Sequence, residues 1–389
     1  MSDVFIKFLL LGLVSFGGPA AHIGYFKRRF VDELNWLDMT AFGGLVALSQ
    51  VIPGPSSSQI GFAIGYHRAG LLGGLAAFIG FTLPSFTLLL LLALGSANWL
   101  GESWFNGLIH GLKLMAVVVV FDAVLSMYNQ FCTKSIAKML MLASAVVTLL
   151  VGNVWGQLLI LVVAAGIGVC CLVPKSLKGM NDRGENLSFT LVNIKWLALF
   201  GTLFITALVL LNSQHPLGQI FAQFYQAGAL VFGGGHVVLP LLEMSVGQHI
   251  GSERFLTGYA LAQAVPGPMF TLAAFLGAEV FSAKPVIGAL VATLAIFLPG
   301  FLLLLSALTV WQGLMHRSQF RGAIAGINAA VVGLLLAALV SPVIASAIYS
   351  LVDLILVLLG FWLFKRFRLN ILWLVLGYSL VGVMFGLIG

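Results

Sequence analysis

A Pro-Gly-Pro triplet occurs twice in this chain, each time between apolar segments, and no other feature constrains the fold as strongly. The copies are Pro53-Gly54-Pro55 and Pro266-Gly267-Pro268. Proline removes a backbone donor and clashes with the preceding turn, so neither stretch can be one continuous helix. At the depth of a lipid bilayer, such a break is tolerated only where it packs in protein or lines a polar cavity. Two equivalent breaks, one in each half of a membrane protein, indicate a transport site.

The composition predicts an all-α polytopic membrane protein with the lipid bilayer as its surroundings. Of the 389 residues, 60% are hydrophobic and 8% are charged, and apolar runs of about 20 residues recur along the chain. The loops leave no room for a separate catalytic domain, and the pattern GxxxxGK[ST] of ATP-driven pumps is absent. The three cysteines have no metal-ligand spacing, and the cations lie at helix ends rather than in one basic patch. We therefore predict no enzyme activity, no cofactor or metal, and no nucleic-acid partner.

The second half of the chain repeats the first. The motif Phe16-Gly17-Gly18 returns 216 residues later, and Gln50 with its Pro-Gly-Pro triplet returns 213 residues later. Six further residues return at an offset of 215: Gly73, Pro84, Phe86, Phe105, Gly107 and Gly111 match Gly288, Pro299, Phe301, Phe320, Gly322 and Gly326. A near-constant offset across such different motifs indicates internal duplication. We predict an N-terminal transport repeat over 1–174, a cytoplasmic linker with one connecting span over 175–212, and a C-terminal transport repeat over 213–389.

The segments that flank the breaks are too short to cross a bilayer. The first of them, Val4–Phe16, has thirteen residues and as a helix would rise only about 20 Å, against roughly 30 Å of hydrocarbon. We therefore predict re-entrant pairs of half-helices, which enter and leave by the same face, over 4–30, 39–66, 220–249 and 254–281. The remaining apolar segments predict about nine full spans.

The distribution of cations predicts that the two repeats are inverted. With re-entrant pairs, 16 of the 19 lysines and arginines fall on one side and two on the other, while Lys113 lies inside a span. If Val4–Phe16 and its copy cross fully instead, the repeats become parallel and the division weakens to 12 against 6. Because cations accumulate in cytoplasmic loops, we predict inverted repeats in the cytoplasmic (inner) membrane, with the N-terminus cytoplasmic and the C-terminus outside. The parallel arrangement is the alternative.

The helix start after the first triplet is a candidate anion site. Gly54 is predicted as the N-cap and Pro55 as the first helical residue, which leaves the amides of Ser56, Ser57 and Ser58 without helical partners. Those amides, the helix dipole and the serine hydroxyls all favour an anion. The alternative is that glycine and proline simply allow helices to pack closely.

Three more helix starts extend this pattern. Gly267 belongs to the second triplet and Thr271 follows it by three residues. This helix start offers the same backbone with fewer hydroxyls, so we expect the two copies to differ in role. The glycine breaks begin two further half-helices and contain Gly17, Gly18, Gly233 and Gly234. Four helix N-termini near the middle of the membrane would favour an anion. For the glycine breaks, close packing is an equally good interpretation.

Polar side chains inside the apolar segments are further candidates. Lys113 lies near the middle of a predicted span, and its repeat partner is Asn328. An intramembrane cation is costly and usually faces a cavity or a partner, so we predict Lys113 as an anion counter-charge and Asn328 as a neutral donor. The alternatives are a snorkelling lysine or an ion pair with Asp122. Gln50 and Gln263, one turn before each break, would donate to an anion or cap the freed carbonyls.

Histidines near the breaks are candidates for proton coupling, because imidazole titrates near neutral pH. The candidates are His22, His110 and His236. For any one of them, a satisfied polar residue without a coupling role is the commoner case. Asp122 and Glu279 are the acids predicted at membrane depth, and the same alternative applies to them.

These motifs resemble the chromate ion transporters in their long, two-domain form. The motifs of the first half are Phe16-Gly17-Gly18-Pro19-Ala20-Ala21-His22-Ile23, Gln50-Val51-Ile52-Pro53-Gly54-Pro55, Gly65-Tyr66-His67-Arg68-Ala69-Gly70 and Phe81-Thr82-Leu83-Pro84. Those of the second half are Gly233-Gly234-Gly235-His236, Ala262-Gln263-Ala264-Val265-Pro266-Gly267-Pro268, Ile296-Phe297-Leu298-Pro299-Gly300 and Gly326-Ile327-Asn328. The resemblance covers nearly the whole chain. It implies chromate efflux from the cytoplasm, energised by the membrane potential or a proton gradient, with chromate resistance as the phenotype.

The resemblance leaves alternatives open. Sulfate has the same size, shape and charge as chromate, and helix-terminus donors alone would hardly distinguish the two anions. A transporter of sulfate or another oxyanion, or an anion channel, is therefore the alternative function. A homodimer is also left open.

Overall fold

The computed structural model describes residues 1–16, 18–99, 102–151, 154–172, 193–231, 238–308, 318–367, 369 and 371–388. Within these ranges the chain forms helices joined by turns, and no strand occurs. The prediction of an all-helical chain is confirmed for this part. We number the α-helices in chain order: α1 Ser2–Val14, α2 Gly18–Phe26, α3 Met39–Val51, α4 Ser56–Trp99, α5 Ser103–Phe131, α6 Ser135–Val151, α7 Val154–Cys171, α8 Ile194–Leu210, α9 Pro216–Leu230, α10 Val238–Leu242, α11 Gln248–Ile250, α12 Ser252–Ala264, α13 Leu272–Val280, α14 Pro285–Ala307, α15 Ser318–Ala338, α16 Leu351–Phe367 and α17 Ile371–Ile388.

Four helices of the described chain are long and apolar enough to cross a membrane. They are Ser56–Gly95, Ser103–Phe131, Pro285–Ala307 and Ser318–Ile344. Several shorter apolar helices, such as Ser135–Val151 and Ile194–Leu210, have fewer than 18 residues. Length and composition thus support a polytopic membrane protein, and the number of about nine full spans stays a prediction.

The helix breaks fall where the sequence predicts them. α1 ends at Val14 and α2 begins at Gly18, whose φ of 72° favours glycine. α3 ends at Val51 and α4 begins at Ser56, on either side of the first Pro-Gly-Pro triplet. In the second half α12 ends at Ala264, before the second triplet.

α4 is not one straight rod. Its backbone leaves helical geometry at Ala69 and Gly70, and Gly70 has a φ of 63°. A Cβ atom added to Gly73 would overlap the carbonyl oxygen of Gly65. Eight residues of straight helix would separate these positions by about 12 Å. The chain therefore reverses at Gly70, and a first arm of α4 before this turn packs against a second arm after it.

The second half contains the same pairing in two separate helices. α13 packs against α14 where Gly277 meets Gly288, and a Cβ atom on either would overlap the carbonyl oxygen of the other. Gly288 is the repeat partner of Gly73. Each half thus folds a short helix back onto a long one, and the absence of a side chain at the crossing allows the two backbones to touch.

The last helix of each half packs against the other half. α7 lies along α15, and α17 lies along α5. A Cβ atom on Gly168 of α7 would overlap the carbonyl oxygen of Gly322, and one on Gly382 of α17 would overlap that of Gly107. Gly107 and Gly322 are repeat partners, so each half receives the last helix of the other half at the equivalent glycine.

Candidate functional site

The first Pro-Gly-Pro triplet forms a clamped connection between α3 and α4, which we call the first tip (53–58). Gly54 has a φ of 130°, which favours glycine. Its amide donates a hydrogen bond to the carbonyl oxygen of Val231, 2.7 Å away, just after α9. A Cβ atom on Gly54 would lie 2.7 Å from the Cα atom of Gly300 in α14. The first tip is therefore held between two segments of the second half.

The second triplet, in what we call the second tip (266–271), makes the reciprocal contacts. The amide of Gly267 donates to the carbonyl oxygen of Ser15, 2.8 Å away, just after α1. With a φ of 109°, Gly267 lies so close to α4 that an added Cβ atom would be 2.7 Å from Oγ of Ser85. Ser15 and Ser85 lie 216 and 215 residues before Val231 and Gly300. Each tip thus contacts the residue just before the Phe-Gly-Gly motif and the proline-containing long helix of the opposite half.

The first tip contains buried polar groups that lack hydrogen-bond partners. Oγ of Ser56 and Oγ of Ser58 are both buried, and neither has a partner among the described residues. Ser57 is also buried. The first helical hydrogen bond of α4 runs from the amide of Gln59 to the carbonyl oxygen of Pro55 at 2.9 Å. The amides of the three serines precede this bond, so hydroxyl and N–H donors are concentrated at one helix start.

Gln59 completes the first tip, and the sequence analysis missed it. Its Nε2 atom donates to the carbonyl oxygen of Pro53 at 3.0 Å and to that of Gly300 at 3.1 Å. Its side chain is fully buried. The amide therefore caps a carbonyl freed by the break, which is one of the two roles that the sequence suggested for Gln50 and Gln263. The available signal was its position three residues after Ser56, on the same helix face.

The second tip offers fewer free donors. Residues Met269–Thr271 form a 3-10 turn before α13 begins. Oγ1 of Thr271 donates to the carbonyl oxygen of Pro268, 2.6 Å away, within the turn itself. One turn before the tip, Gln263 hydrogen-bonds the hydroxyl of Tyr259. The predicted difference in role between the two copies therefore has a structural counterpart in how their polar groups are used.

His22 lies beside the contact that holds the second tip. Its Nε2 atom is 3.2 Å from the carbonyl oxygen of Ser15, the same oxygen that accepts from Gly267. The ring is fully buried and packs edge-on against Phe81, with centroids 5.2 Å apart. Its Nδ1 atom has no partner among the described residues. Of the candidates near the glycine breaks, Gly18 begins α2, whereas Gly17, Gly233, Gly234 and His236 lie outside the described residues.

Comparison with known proteins assigns the chain to a family. A family model described as chromate transporter matches residues 2–169 and 218–383. The chain belongs to the chromate transporter family.

The relatives of the chain are distant in sequence but cover most of its length. An uncharacterised transporter of Methanocaldococcus jannaschii is 28% identical over 97% of this chain and 94% of its own. The chromate transport protein of Pseudomonas aeruginosa is 29% identical over 86% of this chain and 79% of its own. That of Cupriavidus metallidurans is 27% identical over 99% of this chain and 93% of its own. No solved structure matches the chain.

Lys113 lies away from the second tip. Its Nζ atom is 3.8 Å from Oε1 of Glu253, and the lysine is buried while the glutamate side chain is 90% exposed. Glu253 is in the first turn of α12, ten residues before Gln263, which is about 15 Å along the helix. Asp122, the alternative partner for Lys113, pairs with Lys365 instead.

Asn328, the repeat partner of Lys113, is buried in α15. Its Oδ1 atom has no hydrogen-bond partner among the described residues. Gln50 is half-buried on α3. Both side chains carry amide donors, so they stay candidates for binding the anion.

His110 contacts a buried acid that the sequence analysis missed. Its Nε2 atom is 2.8 Å from Oδ1 of Asp353, at the start of α16. The other oxygen, Oδ2, accepts from the amide and the hydroxyl of Ser350 at 3.0 and 2.9 Å. Ser-x-x-Asp is a capping pattern, and it was the signal available in the sequence. Glu279, one of the acids predicted at membrane depth, forms a two-pronged ion pair with Arg254.

Proposed function

We propose that this protein is a secondary transporter that exports chromate across the cytoplasmic membrane and binds it at the first tip. The observation that carries the proposal is the pair of buried, unpartnered hydroxyls of Ser56 and Ser58 at a helix start. A helix N-terminus with free N–H groups and added hydroxyls favours an oxyanion. Chromate is supported by membership of the chromate transporter family and by the relatives called chromate transport proteins. Export, secondary transport and chromate resistance are parts of the proposal.

The exchange of contacts supports a transport mechanism in which one repeat moves against the other. The first tip contacts the second half at Val231 and Gly300, and the second tip is held by Ser15 and Ser85 of the first half. Movement of one repeat against the other would alter both tips together. We propose repeats over 1–174 and 213–389, joined by 175–212, in the inverted arrangement favoured by the cation count.

The other candidate residues take supporting roles in this proposal. Gly267 and Thr271 shape the second tip, which faces the opposite half, and Gln263 leads into it. Lys113 draws the anion toward the protein as a counter-charge, and Asn328 is the neutral donor at the equivalent position. The histidine candidates are tested by the response to a proton gradient.

The test is chromate transport by the purified protein in proteoliposomes. We expect saturable uptake of radiolabelled chromate, stimulated by chromate on the opposite side and driven by an imposed potential or proton gradient. Replacing both Ser56 and Ser58 by alanine should weaken binding on the order of tenfold or more, because two donors to a charged ligand are lost. Uptake no greater than in empty liposomes would contradict the proposal.

The alternative functions give different results in the same assay. A channel would give flux that does not saturate and shows no counter-transport. A transporter of sulfate would move labelled sulfate with the better affinity. The proposed topology is tested separately by labelling single cysteines placed at Lys138 and at Tyr349, which the inverted arrangement puts on opposite faces. Labelling of both from one side would contradict it.

A further inference from the structure

The orientation of the Gln59 side chain is fixed by its surroundings. Both hydrogen bonds of Nε2 go to carbonyl oxygens, those of Pro53 and Gly300. A carbonyl oxygen can only accept a hydrogen bond. If the side-chain amide were flipped, Oε1 would face the carbonyl oxygens of Pro53 and Gly300 with no hydrogen between them. The side-chain oxygen Oε1 must therefore point away from both carbonyls.

Oε1 of Gln59 is a buried acceptor without a donor. It is inaccessible and has no partner among the described residues. The loss of solvation at such an atom costs free energy unless a water, an ion or a ligand supplies the missing donor. Ser56 lies three residues earlier and therefore on the same helix face, and its hydroxyl is also unpartnered. The start of α4 thus has unpartnered hydroxyls and one fixed acceptor within a single turn.

A fixed acceptor distinguishes oxyanions by whether they carry a proton. Sulfate has only acceptor oxygens, so an oxygen of sulfate placed against Oε1 would be repelled. Hydrogen chromate, which coexists with chromate near neutral pH, has one hydroxyl that can donate. A site that hydrogen-bonds a substrate hydroxyl rejects the analogue that lacks it, because the site's polar group is then left unpaired.

We propose that Gln59 is the residue that determines specificity at the first tip, and that it selects oxyanions carrying a proton, such as hydrogen chromate, over sulfate. This inference rests on the proposed function, because it concerns the same site. It answers the question that size, shape and charge leave open for chromate and sulfate. The hydroxyls of Ser56 and Ser58 and the helix amides bind the unprotonated oxygens, while Oε1 accepts from the protonated one.

The second tip has no equivalent of this acceptor. The residue 213 positions after Gln59 is Leu272, which is buried and apolar. The neighbouring hydroxyl of Thr271 is already used within its own turn. Selection by a side-chain acceptor therefore belongs to the first tip alone, and the second tip serves as its structural counterpart.

A pH dependence of binding could also come from titratable groups of the protein on the elements around α4, so these groups have to be distinguished from the substrate's own proton. The helices packed against α4 include α1, α2, α3, α12, α13 and α14. Their charged side chains and histidine are Asp3, Lys7, His22, Glu253, Arg254 and Glu279. His67 and Arg68 of α4 itself lie at the end of the first arm farthest from the tip. His22, in contact with Phe81 of α4, is the group whose titration is tested directly below.

The experiment measures binding to the purified full-length protein by equilibrium dialysis of labelled chromate between about pH 6 and pH 8. Above the pKa of hydrogen chromate, we expect the dissociation constant for total chromate to rise about tenfold for each pH unit. Sulfate and molybdate, which carry no proton in this range, should compete on the order of tenfold more weakly than phosphate, which always carries one. A His22→Gln variant should keep this dependence, since the proton belongs to the anion.

Substitution of the acceptor provides the decisive variant. Gln59→Lys keeps donors for the carbonyls of Pro53 and Gly300 and removes the acceptor. We expect sulfate to compete with chromate equally well in this variant, and the pH dependence to disappear. Gln157→Met is the matched control, because Gln157 is another buried glutamine with an unpartnered Oε1 and it lies beside Met244, not in the tip. Its selectivity should be that of the unmodified protein.

The outcomes separate this inference from the proposed function. Chromate binding that is independent of pH, with sulfate as an equal competitor, would overturn the role of Gln59 while leaving chromate transport intact. Unchanged selectivity in Gln59→Lys would also overturn it. If that variant does not fold, the pH series and the competition with phosphate and sulfate decide alone. Absence of chromate transport would overturn the proposed function. The relative affinities for phosphate and sulfate would still show whether Oε1 of Gln59 acts as an acceptor.

Discussion

The backbone amide of Gly54 donates a hydrogen bond to the carbonyl oxygen of Val231, 2.7 Å away and 177 positions later in the chain. Its counterpart runs from the amide of Gly267 to the carbonyl oxygen of Ser15 at 2.8 Å. Each break is thus held by a carbonyl oxygen of the opposite half. The amide of each glycine is therefore used by a structural contact, and the donors free for a ligand begin with Ser56.

The first prediction concerns the glycine at the first tip. Gly54→Ala places a side chain at a φ of 130° and against the backbone of Gly300. We expect a loss of about 1–3 kcal/mol in the free energy of unfolding, from the strained backbone alone. Gly43→Ala is the control, since an added Cβ atom on this α3 residue meets nothing within 4 Å. Thermal unfolding in detergent measures both, and equal melting temperatures would contradict the prediction.

The second prediction concerns the crossing of α7 and α15. Gly168→Ala forces a methyl group onto the carbonyl oxygen of Gly322, so the helices must separate, at a cost of about 1–3 kcal/mol. Gly166→Ala, two residues away on the same helix, meets open space and should be neutral. Because the halves exchange equivalent contacts, Gly382→Ala should show the same loss, with Gly377→Ala as its control. A loss in only one of the two crossings would show that they are not energetically equivalent.

The third prediction concerns proton coupling at His110. His110→Gln can still donate a hydrogen bond to Asp353 but cannot carry a proton. We expect the stimulation of uptake by an imposed pH gradient to fall to the part that the substrate's own proton supplies, while potential-driven uptake persists. His249→Gln is the matched variant, because His249 contacts Gln223 at the protein surface. An unchanged response of His110→Gln to the pH gradient would remove His110 from the proposed mechanism.

The fourth prediction concerns the charge of Lys113. Lys113→Met should raise the KM for chromate up to about tenfold at low ionic strength, with less effect at high salt, because a screened attraction is lost. Glu253→Gln should lower the KM, since it removes the exposed carboxylate that competes for the same ammonium group. Lys365→Met serves as a control for a lysine in another ion pair. If Lys113→Met leaves the KM unchanged, the counter-charge role is wrong.

Local sequence chemistry predicted the positions of the helix breaks well. Proline has no amide hydrogen, so the ends of α3 and α12 before the two triplets follow from the residues themselves. The number of full spans stays a prediction, because an apolar segment does not reveal by itself how much of it is helical or how it is tilted.

The contents of the site were predicted in part. Ser56 and Ser58 were found because they follow the break directly. Gln59 was missed because one of its two hydrogen bonds goes to Gly300, 241 residues away. Asp353 was missed for the same reason: the His110 contact is made across 243 residues. Lys113 was correctly predicted to lie in a long apolar helix, α5. Its distance from the second tip could not be predicted, because it depends on the contact with Glu253 at the start of α12.

The sequence by itself determined where this chain cannot be helical, that it is duplicated, and which family it resembles. These properties depend on the chemistry of single residues and on their spacing along the chain. Only the tertiary structure decided which half holds each Pro-Gly-Pro tip, and which polar atoms are left without partners. The physical reason is that a buried amide or hydroxyl is satisfied by whatever lies next to it in space, and at the first tip those neighbours come from the opposite half of the chain.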